Sequence, residues 1–247
     1  MDIMDVDKNM TKGIIYYTTN QLEEPMFSVV QKQILKSGLP IVSASLKPLD
    51  FGKNIVLDLK PGITTLNKQI LTALEASTAD HVFFCEHDVL YHPSHFDFAP
   101  TSENISYYNV NVWRWDYPKD RFITYDFLRS LSGLCINRQL AVKYYKERIE
   151  RIEKNGWTDT SREPSWSRKM GHEPGRVGNG IPSNACEYWK SEYPNIDIRH
   201  KGTVTMRKCN ITDFKHPPDS KTWKEATADK IDGWDLKILN DITMLRN

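Results

Sequence analysis

The stretch HVFFCEHDVLY at residues 81–91 constrains the fold more than any other part of the chain. Four apolar or small residues, Val82 to Cys85, run straight into Glu86-His87-Asp88, and Val89-Leu90 follow. Such a run predicts a buried strand. Two carboxylates at the end of a buried strand are costly unless a cation neutralises them. Side chains alternate along a strand, so a continuous strand over 81–91 sets residues 86 and 88 on one face. Two hard oxygen ligands on one face suit Mn²⁺ or Mg²⁺, with water and a substrate diphosphate filling the remaining positions. The competing reading is a solvent-exposed strand end with an incidental acidic pair.

The residues before this stretch alternate between two periods. GIIYYTT at 13–19 reads as a buried strand ending in polar residues and Asn20. From Pro25 a helical pattern sets Phe27, Val30, Ile34 and Leu35 on one face and stops at Gly38. PIVSASL at 40–46 and NIVLDL at 54–59 read as two more strands. Gly62 then precedes Thr64, a candidate N-cap, and Leu66, Ile70, Leu71 and Leu74 form a helical stripe to about Ser77. This order implies an α/β fold with a mostly parallel central sheet flanked by helices. Ligands bind such sheets at the carboxyl ends of the strands, where Glu86 and Asp88 fall.

The second half changes character. ISYYNVNVWRW at 105–115 reads as one strand, and 122–136 contains another that ends at SLSGLCI. A charged helix follows Asn137. Glycines and prolines punctuate 155–182, which excludes a continuous helix or a central strand and leaves a long loop, either an active-site lid or disordered. Its Trp166, Arg168, Lys169, His172 and Arg176 favour the lid. Near the end, Leu236, Ile238, Leu239 and Ile242 mark a helix that packs on the domain or on a partner.

Composition narrows the classes. The 33 Lys and Arg against 32 Asp and Glu leave a net charge of +1, so no global positive field draws the chain to nucleic acid or anionic lipid. No apolar stretch approaches the ~20 residues a bilayer span needs, and MDIMDVDKNM is no signal peptide. Cys85, Cys135, Cys186 and Cys209 stand apart without a CxxC pair, as buried thiols of a reducing compartment would. A soluble, cytoplasmic protein is the expectation. Of the 7 Trp, several sit beside Arg, Asp or Gly, as in WRWD and NGW, where ligand-facing aromatics tend to occur.

Strand–helix alternation leading to an apolar strand with an acid-x-acid end resembles the glycosyltransferases of the GT-A fold, family-2-like. Their Asp-x-Asp motif holds a divalent ion that bridges the diphosphate of the donor. Here the motif is Glu86-His87-Asp88, with Glu as its first acid, and the following Leu90-Tyr91-His92-Pro93 is similar to the proline found shortly after it in the family. The resemblance spans about residues 13–210. It implies a single catalytic domain over 13–215, with a nucleotide-sugar half at 13–91 and an acceptor half at 92–215. Residues 1–12 would be a tail and 216–247 a helical extension. The implied reaction moves a sugar from a nucleoside-diphosphate sugar, UDP-linked, to a hydroxyl of a glycan, a small molecule or a hydroxylated DNA base.

Carried over residue by residue, the resemblance puts Thr18, Thr19 and Asn20 at the nucleobase and ribose. Asn67 and Lys68 are similar to residues near the ribose and diphosphate, although the solvated face of a helix accounts for them equally well. Ser132-Gly133 resembles the acceptor-side glycine, with Arg138 on the helix after it, and His200 resembles a histidine that completes the metal site with Glu86 and Asp88. Lys201 and Arg207 lie where the departing diphosphate would be. Inversion needs a carboxylate base near the acceptor hydroxyl. Glu187, read as opening a short helix, is the favoured candidate, with Glu173 and Asp159 as the others, while retention needs none. Trp113, Trp115 and Trp166 are candidates to stack on an acceptor ring. Two other classes stay open. A nucleotidyltransferase usually has a Gly-rich basic loop after the first strand, which YYTTNQLEEP lacks. A non-catalytic nucleic-acid or glycan-binding module would leave Glu86 and Asp88 without a purpose.

Overall fold

The computed structural model describes residues 10–157, 164–171, 173–177, 181–182, 185–201, 203 and 208–243. The first strand, β1 (Lys12–Thr18), leads into helix α1 (Met26–Leu35), then β2 (Ile41–Ser45), β3 (Lys53–Val56) and helix α2 (Ile63–Ala76). Next come β4 (His81–Glu86), β5 (Val89–Leu90), β6 (Ser106–Asn109), β7 (Val112–Asp116), β8 (Arg121–Thr124), β9 (Leu134–Asn137) and the long helix α3 (Arg138–Asn155). The chain continues through α4 (Ser165–Met170), β10 (Arg176–Val177), β11 (Ile181–Pro182), β12 (Cys186–Trp189), β13 (Asn195–Arg199), β14 (Lys224–Ala226) and α5 (Leu236–Thr243).

A 7-stranded sheet runs in the order β12-β6-β9-β4-β1-β2-β3. Every neighbouring pair is parallel except those of β9, which is antiparallel to both β4 and β6. This is the α/β architecture with a mostly parallel central sheet flanked by helices. One face takes Ile14, Tyr16, Phe83 and Cys85 together with α1; the other takes Ile15, Tyr17, Val82 and Phe84 together with α2 and α3. Strand alternation therefore feeds two cores, one on each side. A second, 5-stranded sheet, ordered β14-β8-β7-β13-β5, covers the α1 side. Ile231, Trp234, Leu239 and Ile242 join that same core, and Trp234 Nε1–H donates to the Pro194 carbonyl (2.7 Å), so the C-terminal segment packs on the domain. Among the described residues no helix is long and apolar enough to cross a membrane.

Several sequence expectations change in detail. On α1 the buried face is Met26, Val29, Val30, Gln33 and Ile34, and Leu35 is exposed, because the face is centred one residue earlier than the apolar count suggests. Helix α2 starts at Ile63 with Gly62 as its N-cap, so Thr64 lies inside the first turn. The expected strand 105–115 is two strands that part at Val110-Asn111, one joining each sheet. Residues 122–136 hold parts of β8 and β9 joined by a loop and a 3-10 turn at Leu131–Gly133. That turn needs glycine, since a Cβ on Gly133 would come within 2.9 Å of the Asn109 carbonyl oxygen. The 155–182 stretch contains a helix, α4, and the β10–β11 hairpin. Arg148 of α3 anchors it by donating to the Gly171 carbonyl (3.0 Å) and to Ser167 Oγ (3.3 Å).

Candidate active site

The expected single strand over 81–91 breaks at Glu86, and the break builds the site. The Tyr91 hydroxyl accepts the Glu86 backbone N–H (2.9 Å), which closes a turn through His87 and Asp88. The chain leaves the central sheet there and enters the second sheet as β5. Asp88 therefore lies in the turn and not two residues along a strand; its carbonyl accepts the Ile198 N–H of β13 (2.9 Å). The acid pair stands at the junction of the two sheets, at the carboxyl end of β4. Ligands of open α/β sheets bind at this edge.

Each acid has its own support. Tyr17 Oη, on the neighbouring strand, donates to Glu86 Oε1 (2.8 Å). Burial, and next the negative charge of Asp88, push the Glu86 carboxyl up to about 8, against the Tyr17 bond. Burial would raise Asp88 as well, but contact with His200 and the charges of His87 and Arg199 outweigh it and hold Asp88 below the usual range. The end of β13 delivers His200, with Nε2 3.5 Å from Asp88 Oδ2. Asp88 thus interacts with Glu86 on one side and lies 3.5 Å from His200 on the other. Two half-buried carboxylates whose charges repel each other, one of them beside an imidazole, are chemically suited to a divalent ion of the Mn²⁺ or Mg²⁺ kind. Among the described residues no group of three or more His, Cys, Asp or Glu side chains stands close enough together to hold a metal ion.

The expected donor residues fall at the same edge but are partly committed to the fold. Thr18 is buried; its Oγ1 accepts the Asn20 N–H (3.0 Å) and its carbonyl accepts from Gln69 Nε2 (2.7 Å). Asn20, in the left-handed region (φ 58°), accepts at Oδ1 from the backbone N–H groups of Leu46 (2.9 Å) and Lys47 (3.1 Å). Thr19 is half-buried beside them. Asn67 is buried and donates back to the Ile63 carbonyl (2.7 Å), and Lys68 pairs with Glu153 (2.8 Å). Neither is brought to the acid pair. A shallow cavity of about 240 Å³ opens at the start of α2, lined by Lys60 to Thr65 and Trp157. Arg207, Asp159 and His172 lie outside the described residues.

The base candidates separate clearly. Glu187 is not in a helix; it is exposed on β12, at the edge of the central sheet. Its register runs through Tyr107 and Cys135 to Phe83, which puts it three strand spacings, about 14 Å, from β4 and about 10 Å short of Glu86 along the strands. The residues flanking it, Cys186 and Tyr188, pack on the α2–α3 side, so Glu187 points to the other face. Glu173 lies on the α2–α3 side, half-buried and ion-paired with Arg176. Its charge reaches Tyr145, which also feels Glu86.

The acceptor tryptophans do not form a platform. Trp115 is fully buried, stacked on Phe122 (centroids 5.0 Å apart) with Nε1–H donated to Asp120 (3.1 Å). Trp113 packs against the same core. Trp166 meets Trp157 edge-on (5.8 Å). The residues between them were the stronger signal. Alternation in WRWD and NIDIR turns Arg114, Asp116, Asp197 and Arg199 onto the opposite face of the second sheet, where all four are buried. Arg199 pairs with Asp197 (2.8 Å), Arg114 lies 3.7 Å from Asp197, and Arg121 lies 3.6 Å from Asp116. Arg114 also donates to Tyr125 Oη (3.0 Å). Arg199 is close enough for both Glu86 and Asp88 to feel its charge.

No protein-family model and no curated protein matches the chain. Among solved structures it overlaps loosely with the glycosyltransferase GlyE of Streptococcus pneumoniae (14% identity, TM-score 0.39, 62% of this chain and 41% of that one). A similar overlap exists with glucosyl-3-phosphoglycerate synthase of Mycobacterium tuberculosis (13% identity, TM-score 0.38, 66% and 76%). A third is with a Drosophila β-1,4-galactosyltransferase 7 in complex with manganese, UDP-Gal and xylobiose (12% identity, TM-score 0.34, 68% and 82%). Overlaps this loose fix neither a family nor an activity for this chain.

Proposed function

We propose that the chain is a metal-dependent glycosyltransferase that moves a sugar from a nucleoside-diphosphate sugar, UDP-linked, to an acceptor hydroxyl. The observation that carries this reading is that Asp88, where the two sheets meet, interacts with Glu86 and lies 3.5 Å from His200. These three residues would hold Mn²⁺ or Mg²⁺. When bound, the ion neutralises the charge that develops on the departing nucleoside diphosphate. The chain's own residues do the rest. Tyr17 fixes the Glu86 carboxyl, and Arg199 adds positive charge beside the acids. The edge at Thr18, Thr19 and Asn20 takes the nucleoside, with Thr19 and backbone groups as contacts. If transfer inverts the sugar, Glu173 accepts the hydroxyl proton as the new C–O bond forms and the bond to the diphosphate breaks. Arg176 keeps that carboxylate in place.

The test is hydrolysis of a panel of nucleotide-sugars without acceptor, with Mn²⁺, with EDTA, and in Asp88→Ala. Turnover of one donor that disappears with chelator and in the variant supports the reading. Turnover that survives both removes the metal from it, and no turnover of any donor counts against transfer altogether.

A further inference from the structure

At the same edge and on the same face as Glu86, an aromatic corner stands open to solvent. Phe127 is 61% exposed and sits in the left-handed region at φ 60°. A bulky aromatic residue gains nothing locally from that conformation; asparagine and glycine are the residues that tolerate it. The fold therefore holds an apolar ring in water, in a backbone state that costs energy, and such strain concentrates at binding sites. Phe127 meets Tyr188 edge-on (centroids 6.0 Å apart, planes at 65°). Arg129 lies over the Tyr188 ring (5.4 Å) and donates to its hydroxyl (2.7 Å), which fixes the second wall of the corner. Tyr188 pairs with Tyr108, which pairs with Leu134 on β9 beside β4, so Tyr188 lies three strand spacings, about 14 Å, from β4.

We infer that Phe127, Tyr188 and Arg129 form a remote acceptor subsite that stacks on the apolar face of a sugar ring in a glycan, several linked rings from the hydroxyl that reacts. This rests on the transferase reading of the acid pair. The position favours an extended acceptor, because a single sugar at the acid pair would not reach the corner. Charge favours a neutral ring over a nucleic acid. Among the described residues the cations at the corner are already engaged, Arg129 with Tyr188 and Arg176 with Glu173, whereas a nucleic-acid track lines its stacking rings with free phosphate-binding cations. The Arg129 guanidinium's remaining N–H groups suit ring hydroxyls.

The test measures binding of cello-, malto- and chito-oligosaccharides of one to four rings by calorimetry without donor, with a single-stranded oligothymidine as the contrasting ligand. In at least one series affinity should rise with ring number. Phe127→Ala should weaken the longest member about tenfold and leave the monosaccharide unchanged, with Phe127→Tyr restoring the affinity. Phe127→Gly should weaken binding while raising the urea midpoint, because it relieves the left-handed residue; a merely structural ring would lower both. The inference is overturned if no series binds, if Phe127→Ala leaves every affinity unchanged, or if oligothymidine is the ligand that depends on Phe127. Donor hydrolysis separates the two readings. Intact hydrolysis with no saccharide binding strikes only the corner, and saccharide binding without donor turnover strikes the transferase reading.

Discussion

Strands β1, β2 and β4 of the central sheet hold no Asp, Glu, Lys or Arg between their first and last residues, and turn acidic only where β4 ends, at Glu86. Strands β7 and β13 of the second sheet carry Arg114, Asp116, Asp197 and Arg199 and bury all four. A charge at a strand end faces the edge and is available to a ligand. A charge within a buried strand must be neutralised by the protein, and here cross-strand partners do so: Asp197 opposite Arg114, and Asp116 opposite both Arg199 and Arg121. The first arrangement leaves charge open to a ligand, and the second ties β7, β8 and β13 into a frame that carries His200 to Asp88.

The largest effect that tests this contrast is on the frame. Asp197→Ala leaves Arg114 and Arg199 buried without their shared carboxylate and should cost about 3–5 kcal/mol by urea unfolding. A cost below about 1 kcal/mol would show that the ladder does not bind the sheet. Next is a buried histidine between the two sheets. His95 is fully buried; Asn109 and Asn195 both place their amide nitrogens on its Nδ1 (3.0 and 3.1 Å), and Trp189, Phe83, Phe96 and Tyr91 surround the ring without bringing a charge. Burial lowers it from 6.5 to about 3. Between those values the unfolded chain binds a proton that the folded chain refuses, so stability is fully present above pH 6.5 and falls as the solution is acidified. The contribution lost between pH 6.5 and 5 is about 2 kcal/mol. His95→Phe should flatten the stability–pH curve by that amount relative to wild type, and parallel curves would contradict the assignment.

Smaller effects separate the site residues from their neighbours. Lys68 is turned to Glu153 in an exposed pair, so Lys68→Ala should change stability by less than about 1 kcal/mol. Donor turnover should stay within about twofold of wild type, equivalent to a few tenths of a kcal/mol. A hundredfold loss would return Lys68 to the donor site. Glu187→Ala, at the exposed sheet edge, should shift stability by about 0.5 kcal/mol or less. It should also leave the pH profile of transfer unchanged, whereas Glu173→Gln should lower transfer to acceptor more than hydrolysis to water.

The fold was legible where periodicity is simple. The run from Gly13 to Glu86 reads as alternating strands and helices because each element has one dominant apolar period, and the structure keeps that order. Glu86 and Asp88 stood out because acids after VFFC have no local explanation. The turn between them did not, since it depends on the hydroxyl of Tyr91 reaching back to Glu86. Glu187 lies on a strand and not a helix; CEYW carries no clean strand alternation, and only its pairing with β6 makes it a strand. Arg114 and Arg199 were legible in the sequence, since alternation in WRWD and NIDIR assigns the rings and the charges to opposite faces. Phe127 carried no sequence signal at all, since its significance lies in a backbone angle and an exposure.

The measurement that tests the central claim most directly is UDP binding by calorimetry, with Mn²⁺ and with EDTA, for wild type and Asp88→Asn. The acid pair and His200 predict binding that requires the metal and that the variant loses by at least about a hundredfold, the scale expected when a charged partner of a bound ion is removed. UDP bound equally with EDTA, or equally by Asp88→Asn, would contradict the account.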